Sequence, residues 1–598
     1  MSCLRRAELV FCSRAFPILQ PLRRLDSSPR SSHVLSSITT QTHWLPYRAY
    51  SAMTPPRSDS DLFEYTSGRW IINDKLRHAE RRRDFNVDGL RRLAAESVKR
   101  SPDDIESLRK LAEGGFNRVF LITMRDGFRM VARIPYPATA PKYFAVASEV
   151  ATLAFLRSAG LPTPEVYQYS PTPDNAAGTE YIFMQFIEGI SLADVLMSDL
   201  REGNIIPILR QLVELESKMM SMAFPAGGSL YFTEDLTNIA GGTSGTTARP
   251  GIPLKSDKRF CVGPETNLHL WFGRRSQLDV DRGPYENAEE ALVRGAEKER
   301  AYLQRFGRSL LPFQRARREA YQYKEQQPSE HIENLDRYLL IAPSLVARDP
   351  ALDHFCIRHP DLQPSNIIVS CSPDSNSYAI ASLIDWQHTS ILPLSLHAGI
   401  PDQLQNYDDA GWDSMTPPSL PDNVNNMDEP QREREVELYR RRLLHYHYVE
   451  STRKYNILHY AAMTEPMGTL RRRLFRHSRG PWEGETLDLK VALIQATENW
   501  ETLTGGGLPC PIVFDPDDVR ETMKLDAELR EVDEYLEVVR DKIGVGPEGW
   551  VPTEHYEEAL ARSKQMKELA LAAFEDEEER ALVAAHWPFD DMDEEDYM

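Results

Sequence analysis

One stretch constrains the fold of this chain more than any other. Residues 359–370 read HPDLQPSNIIVS, and residues 378–386 read YAIASLIDW. Ile367 to Ser370 form a short apolar run, CSPDSN (371–376) is a polar turn, and 378–385 is a second strand. Antiparallel pairing of the two strands brings Asn366, at the start of the first, beside Asp385, at the end of the second. Asp361 lies on the loop that leads in. Two carboxylates and an amide oxygen are the hard-oxygen set that Mg²⁺ favours. Phosphoryl transfer needs such a metal, an oriented nucleophile, and backbone or cationic contacts to phosphate. Average composition yields H-x-D-x-x-x-x-N by chance on the order of 0.02 times in a chain this long. The bland alternative is a hydrogen-bonded Asp/Asn turn with a packed His359.

The residues before this hairpin alternate between strand and helix patterns. Segments 118–123 and 129–134 read as strands joined by Asp126-Gly127, a strong hairpin signal. Phe144, Ala147, Ala151, Ala154 and Phe155 recur at helical spacing within 141–160, which Gly160 and Pro162 close. Segments 165–169 and 181–187 are two further strands, so the order β-β-α-β-β predicts a small sheet with a helix against it. Residues 103–109 read as a short helix and 191–221 as helical. Residues 222–262 are glycine-rich and loop-like, as a functional insertion or mobile loop would be. Helical patterns follow at 286–306, 312–345, 430–462, 485–503, 515–542 and 553–586, with a polar loop at 400–428. The ending DDMDEEDYM reads as a solvated acidic tail.

Composition narrows the function classes. The chain has 598 residues, 41% hydrophobic and 27% charged, which suits two or more globular domains. It lacks a run of 18 apolar residues, which argues against a transmembrane helix. Its formal net charge of −20 argues against duplex nucleic acid as a partner, and a polyanionic substrate would need local cations. There are six cysteines and no C-x-x-C; Cys261, Cys356, Cys371 and Cys510 read as buried thiols in a reducing compartment. In the first 60 residues Arg5, Arg6, Arg14, Arg23, Arg24, Arg30, Arg48 and Arg57 face only Glu8, Asp26 and Asp59. That composition matches a mitochondrial presequence, and RAYSA (48–52) predicts cleavage after Tyr50.

HPDLQPSN with IDW resembles the catalytic loop and metal-binding aspartate of the aminoglycoside phosphotransferase-like kinases. Upstream, EGGFNRVF (113–120) resembles their phosphate-covering loop, VARIPYP (131–137) their third strand, Glu149 their helix glutamate and MQFIEG (184–189) their hinge. The likeness spans about residues 105–400 and extends to the helices before 545. Together with the leader and FCVGPE (260–265), these motifs resemble a fungal mitochondrial group named for altered inheritance of mitochondria. The resemblance implies a two-lobed, protein-kinase-like α+β fold: a small antiparallel N-lobe over a larger helical C-lobe. It implies an ATP- and Mg²⁺-dependent phosphotransferase acting on a small-molecule hydroxyl in the mitochondrial matrix. Asp361 would be the catalytic base and His359 its brace. Asn366 and Asp385 would hold magnesium. Gly114, Gly115 and Asn117 would cover the phosphates, and the backbone from Gln185 to Ile187 would bind adenine with Met184 behind it. Arg133 stands where the family has lysine; it keeps a charge for the phosphates and would pair with Glu149. Lys142 is the fallback cation. EGGFN lacks the G-x-G-x-x-G pattern.

The expected layout is a presequence (1–50), an N-terminal extension (51–102), an N-lobe (103–188), a C-lobe with insertions (189–545), and a terminal helix and tail (546–598). The alternative function is a kinase-like nucleotide-binding scaffold with weak or no catalysis, and transfer of AMP instead of phosphate also stays open. Other motifs fall away. His445 and His447 are two apart on a helix and point to opposite sides, so they cannot chelate together. GGTSGTT (241–247) lacks the lysine of a P-loop. LRRRLFRHSR (470–479) reads as a solvated helix face.

Overall fold

The Asp126-Gly127 turn sets the register of the first sheet. A computed structural model describes residues 62–598, apart from 199–201, 242–248, 372–376, 408–414 and 508. The expected presequence and its predicted cleavage after Tyr50 lie outside the described residues. The N-terminal extension supplies a short strand β1 (Gly68–Trp70) and helices α1 (Asp74–Arg81) and α2 (Val87–Ser97). Strands β2 (Ile105–Glu113), β3 (Asn117–Met124) and β4 (Arg129–Pro135) follow, then α3 (Lys142–Ser158), β5 (Val166–Ser170) and β6 (Tyr181–Gln185). They form an antiparallel five-stranded sheet in the order β2-β3-β4-β6-β5. Gly127 takes a φ of +88° and donates to Met124 O at 2.9 Å, so a residue free of Cβ strain sits where the chain reverses.

Period-two alternation sorts the side chains. Phe120, Ile122, Met130, Ala132 and Phe183 face α2, burying against Leu90, Ala94 and Ala95. Val131, Ile182 and Met184 face α3, against Val146 and Val150. The sheet is therefore covered on both faces, and the helix on one face comes from the extension. Arg133 shares the α3 face with Val131.

Residues 103–109 are not a helix. Ser101 and Asp104 form a capping box around a single turn (Pro102–Asp104), and β2 then pairs with β3 from Ile105 to Glu113. The cap signal is real, but ladder hydrogen bonds to β3 take the backbone that a helix would need.

The second lobe starts with β7 (Ile190–Ser191), α4 (Leu192–Ser198) and α5 (Glu202–Met220). The segment expected as loop, 222–262, instead contains β8 (Ser229–Phe232), α6 (Thr233–Gly241), β9 (Ile252–Pro253) and β10 (Phe260–Gly263). The sheet order is β8-β10-β9, and Tyr231 and Cys261 pack on Phe144 of α3. Gly228 has a φ of +139°, and a Cβ there would lie 2.2 Å from Gly263 O, so this glycine, which looked like linker, permits close strand approach.

Next come α7 (Ala288–Phe306), α8 (Pro328–Ile341), β11 (Phe355–Ile357), β12 (Ile367–Cys371), β13 (Tyr378–Leu383) and β14 (Ile391–Pro393). Within 312–345 only α8 is regular α-helix. The expected hairpin is present: β12 pairs β13 with Ile367 opposite Leu383, and β7 adds on the other edge. The longer helices that follow are α9 (Glu429–Tyr455), α10 (Ile457–Thr464), α11 (Gly468–Arg479), α12 (Leu487–Glu498) and α13 (Pro516–Ile543). After them β15 (Trp550–Pro552) pairs with β1, and α14 (Tyr556–Ala572) and α15 (Glu577–Ala585) close the chain. No helix of the described residues is long and apolar enough to cross a membrane.

Three further expectations are corrected. The basic stretch 470–479 is not a solvated face. Arg471 and Arg479 are buried beside Leu474 and Phe475, and Arg479 pairs with buried Glu265 at 2.8 Å. The acidic tail is not simply solvated either. Asn73 donates to Met592 O (2.9 Å) and to Glu594 (2.6 Å), and Tyr597 is buried with its hydroxyl on Leu311 O. Of the cysteines, Cys261 and Cys356 are buried, but Cys371 is exposed at the hairpin end.

Candidate active site

The loop between β11 and β12 is braced from inside. His359 is buried, donates from Nε2 to Ile384 O (2.9 Å), accepts at Nδ1 from Asp361 N–H (3.2 Å), and packs on Trp386. Burial pushes its imidazole down to about 4, against the pull of those hydrogen bonds, so it stays neutral. Asp361 is exposed. Its Oδ2 accepts from Gln363 Nε2 (2.6 Å) and Asn366 Nδ2 (3.1 Å), and its backbone carbonyl accepts from Asn366 Nδ2 as well (3.0 Å). Desolvation and the negative charge of Asp385 raise its carboxyl above the usual range, with Gln363 and Asn366 opposing.

Asn366 and Asp385 lie at the same end of the hairpin, as its register requires. Ile384 N–H donates to Asn366 O at 3.0 Å, which puts Asn366 next to the turn that carries Asp385. That turn is strained: Asp385 has a φ of +65° and His388 of +61°. Non-glycine residues rarely hold the left-handed region, and such strain concentrates at functional sites.

Arg133 is the hub. Its Nη1 donates to Glu149, and its Nη2 donates to Asp385 Oδ1 (2.6 Å) and Gln387 Oε1 (2.9 Å). The amide of Asn117 lies 2.5 Å from Gln387 Oε1 and within hydrogen-bonding reach of the same guanidinium. Burial raises Glu149 to about 7, with Arg133 pulling it down and Asp385 pushing it up. Asp385 moves the other way: burial would raise it, but the Arg133 guanidinium outweighs that and lowers it. Thus β3, β4, α3 and the turn after β13 converge on one cluster.

The other expected residues sit around it. Gly114 N–H donates to Asn117 O (2.9 Å), closing the β2–β3 turn, and an added Cβ at Gly115 would meet open space. Phe116, exposed on that turn, contacts the His388 ring edge-on. Gln185 ends β6, where its backbone N–H donates to Glu165 O (2.8 Å), and Ile187 lies in the linker between the two sheets. Met184 is buried on the α3 face. Lys142 is exposed at the first turn of α3, two turns from Glu149, while Arg133 already pairs with that glutamate. His445 is buried and accepts from Asn406 N–H.

Sequence reasoning missed Gln387 and Glu113. Gln387 stands two residues after Asp385, and nothing in its spacing marks it as a partner of Arg133. Glu113 precedes the glycine pair, and its buried carboxylate is visible only in the tertiary structure.

A relative from Aspergillus fumigatus, described as a subtelomeric hrmA-associated cluster protein, is 30% identical over 530 residues, covering 82% of this chain and 98% of its own. The model of the phosphotransferase enzyme family (APH) matches residues 107–395, which hold the whole cluster described above. The chain belongs to this phosphotransferase family. The altered inheritance of mitochondria protein 9 of Zygosaccharomyces rouxii is 24% identical over 636 aligned positions, covering 93% of this chain and 95% of that protein. Among solved structures, a streptomycin–ATP–APH(2″)-IIa ternary complex is 12% identical with a TM-score of 0.32, covering 70% of this chain and 99% of that one. The APH match spans both lobes, from β2 to just past β14.

Proposed function

We propose that this protein transfers the γ-phosphate of ATP to a hydroxyl group of a small molecule in mitochondria. One observation carries the reading. Arg133 and Asp385, 252 residues apart, meet on the turn that borders Asn366 and the loop of Asp361. Asp361 is exposed to an incoming hydroxyl, and its raised proton affinity makes it a better base than an ordinary carboxylate. It would accept the hydroxyl proton as the acceptor oxygen bonds to phosphorus and the bond to the bridging oxygen of ADP breaks. Gln363 and Asn366 hold that carboxylate in place.

The backbone from Gln185 to Ile187 would take the adenine. The Gly114–Asn117 turn and Arg133 would face the phosphates, and the open space at Gly115 suits close backbone approach. For magnesium the donor set fits. Asn366 spends its amide nitrogen on Asp361, which leaves its carbonyl oxygen, and the Asp385 side chain is 46% exposed. Those two residues would hold the ion, which when bound neutralises charge on the transferred group. The mitochondrial setting rests on relatives named as mitochondrial and on the arginine-rich, acid-poor leader.

The same ion pair also admits a second reading. Arg133 already places a cation on Asp385 Oδ1, as a nucleotide-binding scaffold without turnover could tolerate. The test is product release from Mg-ATP with a panel of hydroxyl compounds, comparing wild type with Asp361→Asn. Turnover that falls about 10²–10⁴-fold in the variant, with nucleotide affinity kept, supports the kinase reading. Binding without turnover in wild type supports the scaffold. Release of pyrophosphate instead of ADP would mean AMP transfer.

A further inference from the structure

The phosphate-covering turn is bolted from outside by residues 62–81 and, behind them, by the C-terminal segment. Glu113 is the last residue of β2 and pairs in register with Arg118 across the turn. Its side chain is 0% exposed, and both oxygens are used. Oε2 accepts from Thr66 N–H (2.9 Å), Ser67 N–H (2.9 Å) and Ser67 Oγ (2.7 Å). Oε1 accepts from Arg118 Nε (3.1 Å) and lies 3.1 Å from Lys110 Nζ. Arg118, equally buried, donates to the backbone carbonyls of Leu62 and Arg81. Both flanks of the turn are thus tied to residues 62–81.

Those residues are held in turn by the C-terminal segment. β1 pairs with β15, Thr553 Oγ1 donates to Thr66 O (2.8 Å), and Trp550 Nε1 donates to Tyr65 OH (3.0 Å). The chain of contacts runs from β15 through Thr66 and Ser67 to Glu113, then across the turn to Asn117 beside Arg133. A two-residue glycine turn is otherwise a weak device for fixing amides, because glycine populates many backbone conformations. External anchors remove that freedom before a ligand arrives, which lowers the ordering cost of binding.

Resting on the proposed nucleotide site, we propose that Glu113 is a positioning residue for the phosphate-covering turn, and that the β1–β15 pairing is the outer half of the same clasp. Burial opposes ionisation of Glu113, but Lys110, the backbone amides and Arg118 hold its pKa below the usual range, so the acceptor stays charged.

The test compares Glu113→Gln, Ser67→Ala and Trp550→Ala in the full chain. Amide exchange of residues 114–117 is followed without ligand, alongside Mg-ATP titration and steady-state kinetics. Glu113→Gln is expected to speed exchange at the turn and to weaken ATP binding about tenfold, from the loss of charge-assisted bonds, with kcat and acceptor KM unchanged. Ser67→Ala, which loses one bond at an exposed site, should do the same about two- to threefold and guards against a misfolded Gln variant. Trp550→Ala should follow the same pattern from a distance. Unchanged turn exchange and ATP affinity in folded variants would overturn the clasp and leave the kinase reading standing. Equal losses in ATP affinity, acceptor KM and kcat, tracking the melting temperature, would reduce Glu113 to a structural residue and overturn it too. A wild type with no nucleotide affinity would sink both, whatever the exchange rates.

Discussion

Exchanging Arg133 for methionine removes a guanidinium from a closed pocket, where its side chain is 8% exposed and that of Glu149 is 4% exposed. The bonds to Glu149, Asp385 and Gln387 go with it. Truncating one partner of a buried ion pair costs about 3–5 kcal/mol, mostly because the survivor is left charged in a poor solvent. Here the survivor has a way out. Burial already lifts Glu149 to about 7, and Arg133 is what pulls it down, so the variant's Glu149 takes up a proton near neutral pH. Asp385 is half exposed and can be hydrated instead. At mildly acidic pH Glu149 already carries its proton in both proteins, so the cost there should fall below that range, to about 1.5–3 kcal/mol for the lost hydrogen bonds.

The pH dependence follows from the direction of the shift. Glu149 has a folded pKa raised above its ordinary 4.5, so between 4.5 and about 7 the native state holds a proton that the unfolded chain has released. Stability falls as pH rises through that window, and in wild type the fall ends near 7. In Arg133→Met the folded pKa climbs further, so the fall continues above neutrality. The gap between the two proteins should widen from about pH 7 upward by as much as ~1.4 kcal/mol per pH unit. Urea unfolding followed by circular dichroism across that range measures it. A gap that stays constant or narrows, or a cost under about 1 kcal/mol, would refute the account of a charged buried pair.

Other consequences can be checked alongside. Gln363 donates to Asp361 and holds its pKa down, so Gln363→Ala should move the acid limb of the kcat/KM profile to higher pH; a downward move contradicts the assignment. Asp385→Ala should abolish any magnesium-dependent part of the thermal shift given by ATP, and an undiminished shift would remove Asp385 from the proposed metal site. Arg479→Met leaves buried Glu265 without its cation and should cost about 3–5 kcal/mol in chemical denaturation, whereas a loss near zero would return 470–479 to the surface.

Much of the site was legible because its signals are local. Asp126-Gly127 specifies a hairpin on its own, and the alternating pattern of β4 puts Arg133 on one face whatever packs there. The eight-residue stretch from His359 to Asn366 and the strand–turn–strand after it place Asp361, Asn366 and Asp385 with no knowledge of distant residues. Where the reading failed, the deciding partner lay outside the segment itself. Residues 105–113 carry a helix cap at their start, yet they became a strand because β3 was available to pair. The short strands SLYF and FCVG have too few residues to announce themselves, and they form only by meeting across about thirty intervening positions.

Charge was the least legible property. Arg471 and Arg479 look like surface residues by composition, but a buried arginine is stable only when a specific carboxylate reaches it, and Glu265 and Glu465 do so from other elements. The same holds for Glu113 and for the tail that clasps Asn73 and Arg77. By itself the sequence determined the hairpin from β3 to β4, the period of α3 and the chemical identity of the groups on the two site loops, because turn geometry and side-chain alternation act within a few residues. Only the tertiary structure decided which charges were buried, what anchored the glycine turn, and that the C-terminal segment closes on residues 65–77, because those outcomes depend on contacts between separate segments of the chain.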